Sequence, residues 1–313
     1  MIRGPMIRVI KPGLLTTVQD LGRRGFAHLG VSPGGAADSI SFRIANLLVG
    51  NDLNAPALEI TLLGPTLEFE VEATIALSGH GTSASSPISL PMTEAFEVAA
   101  GTILAVGPLS AGARAYLAIR GGLVIPEMMH SSSTFLPVKI GGLQGRALQS
   151  GDELMIGKRT QGSFRKLSPV VAASLWPYQG PIRVTRSIQT DWFNHETVER
   201  FNRQPFTVTE QSNRSGLRLA GEPILASHRG ELLSEGVALG AVQVPPNGQP
   251  IILFVDQQTT GGYPKIANVI AADLPCVGQL RPRDEIRFQS VKIPEAIELL
   301  RQQERALHEA FAS

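Results

Sequence analysis

The sequence is poor in cysteine: among 313 residues it has one, Cys276. One cysteine excludes an intramolecular disulfide framework and a cysteine-cluster zinc site. The absence of disulfides is typical of a reducing compartment, so we expect a cytoplasmic protein. Because Cys276 lies in the apolar run LPCVGQL, we expect a buried, inert thiol rather than a nucleophile.

Long apolar runs and an excess of one charge are also lacking. No run of about 18 apolar residues is present, so the sequence predicts no membrane-spanning helix. The N-terminal stretch MIRGPMIRVIKPG has no long apolar core, so we expect no secretory signal. The 28 basic and 27 acidic residues give a net charge of +1, which provides no general attraction to nucleic acid or anionic lipid. We expect neither kind of partner.

Several catalytic motifs are missing as well. The sequence contains no GxxxxGK[ST] phosphate loop and no HExxH zinc motif. It also lacks the Met-Lys-Met signature of biotinylated proteins, so we expect no covalent biotin on this chain. Any nucleotide or biotin chemistry would therefore depend on another protein.

Glycine and proline, in contrast, are abundant, with 32 and 22 residues. Together they make about one residue in six, against roughly one in eight on average, which predicts many turns between short strands. Strands at this density favour closed or nearly closed sheets, and their irregular alternation with helices argues against a doubly wound sheet. The predicted fold is mostly β with few helices, in two domains at residues 6–170 and 171–313. The short β-rich runs are LEFEVEATIALSG, TILAVGP, ARAYLAIRGG, DELMIG, IRVTRS, FTVTE and PIILFVD.

Helical periodicity is clear in two segments. The spacing of apolar residues predicts a helix over 38–49, with Asp38 as N-cap and Gly50 just after its end. A second helix begins at Pro294 and runs through the C-terminal tail. A third is predicted over 192–202.

The segment 234–274 offers the densest group of candidate site residues. The buried run IILFV leads into the polar string from Asp256 to Lys265, and polar loops after buried strands are common ligand sites. A glycine pair there permits close approach of a ligand. The alternative is a polar loop that only caps a barrel. The candidates in this string are Asp256, Gln257, Thr259, Thr260, Gly261, Gly262, Tyr263 and Lys265. Asn247 joins them from the turn VPPNGQP before the strand, and Gln243 from the position just before that turn.

Four other segments carry weaker signals. Arg214 and Arg218 are four residues apart, so they can share a face and bind a carboxylate or phosphate; bonding to loop carbonyls is equally compatible. The loop SPGGAAD opens a helix, but Asp38 as cap opposes anion binding there. His80 and the His130 of MHSSST are interpreted as structural.

Taken together, four segments resemble one family. They are KPGLLTTVQDLGRRGFAHLGVSPGGAADSISFRIANLLVGN, ALEITLLGPTLEF, NRSGLRLAG and SEGVALGAVQVPPNGQPIILFVDQQTTGGYPKIANVIAADLPCVGQLRP. The chain resembles the biotin-dependent carboxyltransferase-like family, also called the allophanate hydrolase subunit 2 family, from about Ile7 to Phe288. The resemblance implies cyclophilin-like β-barrels, one in each predicted domain.

The resemblance also implies a function within a complex. Members include the C subunit of bacterial 5-oxoprolinase, which acts with subunits A and B and uses ATP to open 5-oxo-L-proline to L-glutamate. Fused relatives form the carboxyltransferase part of urea carboxylase and take CO2 from carboxybiotin. Others are Kip-type regulators of a histidine kinase. We expect a 5-oxoprolinase subunit that is inactive alone; carboxyl transfer and kinase regulation are the alternatives.

Under the 5-oxoprolinase hypothesis, residue type and position suggest a role for each candidate residue at a barrel mouth. Arg214 and Arg218 would hold a carboxylate. Asp256, Gln257 and Thr259 would bond the ring amide, and Lys265 would face a phosphoryl group, with Asp256 and Lys265 as the catalytic candidates. The sequence departs from the family pattern at Ala37, at Ser132, at LSGHG and at RPRD (281–284). The Ser132 position replaces an expected arginine, which bears on substrate identity.

Overall fold

The computed structural model describes residue 4 and residues 6–80, 83–86, 92–158, 165–168, 175, 180–227 and 232–311. The chain divides into two compact units. Unit 1 comprises Met1–Arg23, Gly34–Trp176 and Ala306–Ser313; unit 2 comprises Arg24–Pro33 and Pro177–Arg305. The boundary predicted near residue 170 lies outside the described residues.

Strands dominate both units, so the prediction of a mostly β fold with few helices is confirmed. Four α-helices have their bounds among the described residues: α1 (Ser39–Leu48), α2 (His195–Arg203), α3 (Leu274–Gln279) and α4 (Ile293–Ala310). The strands there are β1 (Met6–Lys11), β2 (Leu15–Gln19), β3 (Ala57–Thr61), β4 (Thr66–Phe69), β5 (Ala73–Gly79), β6 (Ser83–Ser86), β7 (Phe96–Val98), β8 (Thr102–Leu109), β9 (Arg114–Ile119), β10 (Glu153–Met155), β11 (Ile182–Arg186), β12 (Phe206–Val208), β13 (Gly216–Ala220), β14 (Glu235–Gly236), β15 (Ala241–Gln243), β16 (Ile251–Leu253), β17 (Thr260–Gly261), β18 (Lys265–Val269), β19 (Glu285–Ile286) and β20 (Phe288–Ser290).

Unit 1 contains two five-stranded sheets, with strand orders β10-β1-β4-β8-β6 and β2-β3-β9-β5-β7 among the described residues. Both sheets contribute to one apolar core. Ile7 and Leu67 enter it from the first sheet, and Leu58 and Leu117 enter it from the second, all fully buried. The alternation of side chains along these strands directs one face of each sheet into this core.

Helix α1 covers the other face of the second sheet, where it packs with Tyr116 and Ala118. Asp38 caps it, as predicted, by accepting hydrogen bonds from the backbone N–H groups of Ile40 (3.0 Å) and Ser41 (2.9 Å). Gly50 follows the helix in the left-handed region, with φ of 73°. Burial and the nearby carboxylates of Glu59 and Asp38 raise the pKa of Tyr116 well above its ordinary value.

Unit 2 is built on an eight-stranded sheet with the order β19-β12-β13-β16-β15-β18-β11-β20 among the described residues. The two edge strands, β19 and β20, are consecutive in the chain, and Arg287 alone separates them. Because the chain passes from one edge of the sheet directly to the other, the sheet is nearly closed into a barrel. Phe201 of α2 stacks on Phe288 of β20, with ring centroids 4.4 Å apart.

Three elements differ from the sequence prediction. The helix predicted over 192–202 begins at His195, because Asn194 accepts a hydrogen bond from the N–H of Thr197 (2.8 Å) as its N-cap. The run 67–79 forms two strands with a break at 70–72. The segment LPCVGQ is helix α3, in which Cys276 is buried, as predicted. In the described part of the chain, no helix combines the length and apolarity needed to cross a bilayer.

Candidate functional site

A pocket of about 600 Å³ lies along three neighbouring strands of unit 2. The strand register places Arg218 of β13 opposite Ile251 of β16, and Ile251 opposite Gln243 of β15. Residues directly opposite each other point to the same face, so these three side chains form one row, and all three line the pocket. The prediction located the site at a barrel mouth, whereas this pocket lies along a sheet face.

The pocket is rich in side-chain amides and poor in charge. Arg218 is its one charged residue among those described, and Ile251 and Leu253 supply apolar surface. Some of the amides are used by the protein itself: Asn213 accepts from the N–H of Ser215 (2.8 Å), and Gln249 exchanges two hydrogen bonds with the backbone of Gly221. The amide-bearing residues are Gln211, Asn213, Gln243, Asn247, Gln249 and Gln258.

Gln243 differs from these amides because its Nε2 has no hydrogen-bond partner within the described structure. Its exposed fraction is only 1%. The strand β17 passes close to it at Gly261, where an added Cβ would lie 2.5 Å from this nitrogen and 3.4 Å from Nε2 of Gln258. A Cβ at 261 would therefore displace the end of the flexible Gln243 side chain rather than any backbone.

Arg214 does not line this pocket but pairs with Asp256. Its Nε and Nη2 donate to the two carboxylate oxygens at 2.8 and 3.1 Å, and the side chains are 6% and 1% exposed. This is a bidentate, buried ion pair. The structure therefore separates the two arginines: Arg214 is bonded to a carboxylate of the protein, and Arg218 faces the pocket.

Lys265 is buried beside Gln243 in the strand register and forms an ion pair with Glu235 of β14. Gln189 also donates to Glu235, with 2.6 Å between Nε2 and Oε1. The Lys265 ammonium is the main cause that holds the pKa of the Glu235 carboxyl below its ordinary value, and the Gln189 hydrogen bond adds to it. Sequence reasoning missed Glu235 because its partner lies 30 residues away.

This pair predicts an acid-sensitive contribution to stability. A carboxyl whose pKa is lowered by folding contributes stability above its unfolded pKa, and that contribution is lost as the pH falls through the lower folded value. We expect the melting temperature of wild type to decline below about pH 4.5, the ordinary pKa of the group, and Glu235→Gln to reduce that decline. Thermal unfolding from pH 7 to pH 3 measures it. Lys265→Met should reduce the decline equally. If the melting temperatures of both variants fell between pH 4.5 and pH 3 as much as that of wild type, the ion pair would not be the cause of the acid sensitivity.

The remaining candidates cluster around the short ribbon of β14 and β17. Thr260 and Gly261 form β17, and the O of Thr259 accepts from the N–H of Val237 (3.0 Å). Gln257 is buried and donates from Nε2 to the O of Val237 (3.1 Å). Its Oε1 has no partner within the described structure. Asn247 and Tyr263 line the pocket of Gln243; Gly262 lines a second pocket of about 520 Å³, which Tyr263 and Pro245 share.

The MHSSST segment of unit 1 surrounds Asp20, a residue that the sequence patterns did not single out. Asp20 accepts hydrogen bonds from the hydroxyls of Ser131 (2.7 Å) and Ser133 (2.5 Å) and from the N–H groups of Ser132 (2.6 Å) and Gly22 (2.7 Å). All but Gly22 are buried. The serine-rich run therefore satisfies a buried carboxylate. The only signal in the sequence was that such a run needs hydrogen-bond partners if it is buried.

No cluster of metal-ligating side chains occurs in the parts of the chain that the structure describes. The pocket along β13, β16 and β15 also does not suit a nucleoside triphosphate, because a single arginine faces it while a triphosphate carries several negative charges. The amide donors and acceptors instead suit a small ligand that presents carbonyl, amide or carboxylate groups.

Comparison with known proteins identifies the family. The model for the carboxyltransferase domain, subdomain A and B, matches residues 29–290. The chain belongs to this family. Two relatives in the carboxyltransferase family are the C subunits of the 5-oxoprolinases of Escherichia coli, 43% identical, and of Haemophilus influenzae, 38% identical; each alignment covers 96% of this chain and 96% of the relative.

The carboxyltransferase fold is seen in a solved structure as well. The crystal structure of the Kluyveromyces lactis urea amidolyase matches with a TM-score of 0.92 and 34% identity. The match covers 99% of this chain and 20% of that chain. This chain therefore corresponds to about a fifth of the urea amidolyase, and the mostly β, barrel-like architecture is shared with it.

Proposed function

We propose that this chain is the C subunit of an ATP-dependent 5-oxoprolinase complex, which opens 5-oxo-L-proline to L-glutamate together with subunits A and B. The observation that supports the proposal most is the match with the Escherichia coli protein, which extends over nearly the full length of both chains. A cytoplasmic location stays a prediction from the single cysteine.

The chemistry of the pocket is compatible with a lactam substrate. Opening the ring breaks the bond between the carbonyl carbon and nitrogen and adds the elements of water. The protein must therefore position the amide and exclude bulk water, for which buried amide donors and an apolar floor are suitable. Gln243 and Ile251 offer these two surfaces side by side.

ATP is assigned to the partner subunits in this proposal. The sequence has no phosphate loop, and the pocket offers one cation to a ligand that carries several negative charges. This chain would bind the amide substrate, and energy from ATP would be supplied by another subunit. Lys265 stays a catalytic candidate through its position opposite Gln243 in the strand register, although it does not line the pocket and pairs with Glu235.

Reconstitution of the complex tests the proposed function. We expect L-glutamate to form from 5-oxo-L-proline and ATP only when this chain is combined with subunits A and B, and the chain alone to produce none. The measurement is L-glutamate released per ATP hydrolysed. Omitting this chain is the control. Full turnover without it, or no turnover with all three subunits folded and assembled, would refute the assignment.

A carboxyltransferase is the second candidate, and the structural match with the urea amidolyase favours it. In that case the chain would act with a partner on carboxybiotin delivered by a separate carrier protein, since its own sequence lacks a biotinylation signature. Transfer of labelled CO2 from a carboxybiotin carrier to urea, dependent on this chain, would support it. Lactam opening transfers no CO2 and uses no carboxybiotin, so the absence of labelled product from urea together with L-glutamate release from 5-oxo-L-proline separates the two candidates.

A further inference from the structure

The amide of Gln243 is a donor without an acceptor. Its Nε2 is buried and has no partner among the described residues. Leaving a buried donor unsatisfied costs about 1–3 kcal/mol, and such groups are rare in folded proteins. Because Gln243 lines the pocket, an oxygen atom of a bound ligand can supply the missing acceptor.

Arg218 stands two strands away in the same row. Strands are spaced by about 4.8 Å, so the Cα atoms of Arg218 and Gln243 lie roughly 10 Å apart, with Ile251 between them. A ligand that reaches both would place an anionic group at Arg218, an acceptor oxygen at Gln243 and apolar atoms over Ile251. These three requirements fit a small cyclic amide that bears one carboxylate.

We propose that the pocket along β13, β16 and β15 binds a small monocarboxylate that carries an amide carbonyl. The Nε2 of Gln243 donates to the carbonyl oxygen, and the guanidinium of Arg218 pairs with the carboxylate. This inference rests on the proposed function and extends it, because it assigns the two polar groups of 5-oxo-L-proline to two residues. It also changes two predictions from the sequence. The contact with the ring amide moves from Asp256, Gln257 and Thr259 to Gln243 of β15. The contact with the carboxylate is made by Arg218 alone.

Other ligand classes match the row less well. Urea is neutral, so it would leave Arg218 without an anion and the surface of Ile251 uncovered. L-Proline has the carboxylate but no carbonyl oxygen for Gln243. 2-Pyrrolidinone has the lactam but no carboxylate. These three compounds are therefore matched probes, each of which lacks at least one feature of 5-oxo-L-proline.

Binding to the isolated full chain tests the inference independently of turnover. Titration calorimetry with the four compounds should show 5-oxo-L-proline binding at least about tenfold more tightly than 2-pyrrolidinone, L-proline or urea, since each lacks a charge-assisted or amide hydrogen bond. Arg218→Leu should abolish the preference for 5-oxo-L-proline over 2-pyrrolidinone. Tighter binding of urea, or no binding of any of the four, would overturn the proposal.

The Gln243→Leu variant gives the sharpest test. It should reduce affinity for 5-oxo-L-proline at least about tenfold and yet leave the melting temperature unchanged or higher, because it removes a donor that the free protein does not satisfy. A purely structural glutamine would lower the melting temperature instead. Gln289→Leu, the same substitution at an exposed position of β20 outside the pocket, is the control and should change neither quantity.

Gly261→Ala supplies a second variant, because its Cβ would displace the Gln243 amide while both pocket side chains remain. It should weaken binding in the same way as Gln243→Leu. Wild-type affinity in both variants would overturn the proposal even if the assembled complex produces L-glutamate. Conversely, if the predicted binding pattern were found but the assembled complex produced no L-glutamate, the binding site would be supported and only the proposed function would be refuted.

Discussion

Replacing Asp256 with alanine is expected to lower the free energy of unfolding by about 3–5 kcal/mol, because it leaves the buried Arg214 without the carboxylate that accepts its two hydrogen bonds. Urea denaturation of the isolated chain measures this. The effect is a large fraction of the roughly 5–15 kcal/mol that keeps a domain folded. A loss of turnover in Asp256→Ala therefore has to be compared with the folded fraction before Asp256 is called catalytic.

Two further variants control this prediction. Arg214→Met combined with Asp256→Leu removes both charges and should recover part of the lost stability, since apolar replacements of a buried pair are tolerated. Asp191→Ala breaks an ion pair with Arg186 whose side chains are 84% and 69% exposed, and it should cost less than about 1 kcal/mol. If Asp256→Ala were no more destabilising than Asp191→Ala, the buried pair would have no structural role.

Replacing Asp20 with alanine is expected to destabilise unit 1 by at least about 3 kcal/mol. Two hydroxyls and two backbone N–H groups would lose their acceptor, and each buried group left unsatisfied costs about 1–3 kcal/mol. Asp20→Asn keeps one acceptor oxygen and should fall between wild type and Asp20→Ala. Urea denaturation followed by protease susceptibility of the MHSSST segment gives the measurement.

The control for Asp20 is Asp52→Ala, an exposed carboxylate at which we expect a change within about 0.5 kcal/mol. A stable Asp20→Ala variant that had lost binding of 5-oxo-L-proline would indicate instead that the serine-rich segment serves a ligand. The prediction thus decides how to interpret Ser132, the position where the family resemblance led us to expect an arginine. The backbone N–H of Ser132 donates to Asp20, but any residue at 132 would supply that N–H, so the contact does not explain the serine side chain.

Local signals explain which parts of the fold the sequence predicted. Helix α1 was predicted within one residue of its bounds, because the cap Asp38, the apolar spacing and Gly50 all lie within its own segment. The short strands were recognised for the same reason. Their order was not predictable, since β13 lies between β12 and β16 through pairings that only long-range packing decides.

The candidate site shows the same division. The sequence drew attention to 234–274, and the structure places Gln243, Asn247 and Tyr263 along one pocket. The spacing of Arg214 and Arg218 suggested a shared role, yet the structure gives Arg214 a carboxylate 42 residues away. Glu235 and Asp20 were missed because their importance depends on partners in distant segments, which spacing along one chain does not reveal.

The single residue between β19 and β20 has a consequence for synthesis of the chain. Until residue 290 has left the ribosome, β11 and β12 both lack an edge partner, so nascent unit 2 exposes two open strands that can pair with other chains. Chains truncated before Glu285 would keep those edges permanently. In the full chain, these two strand edges can therefore cause aggregation only until the barrel closes. In a C-terminally truncated chain, they stay exposed.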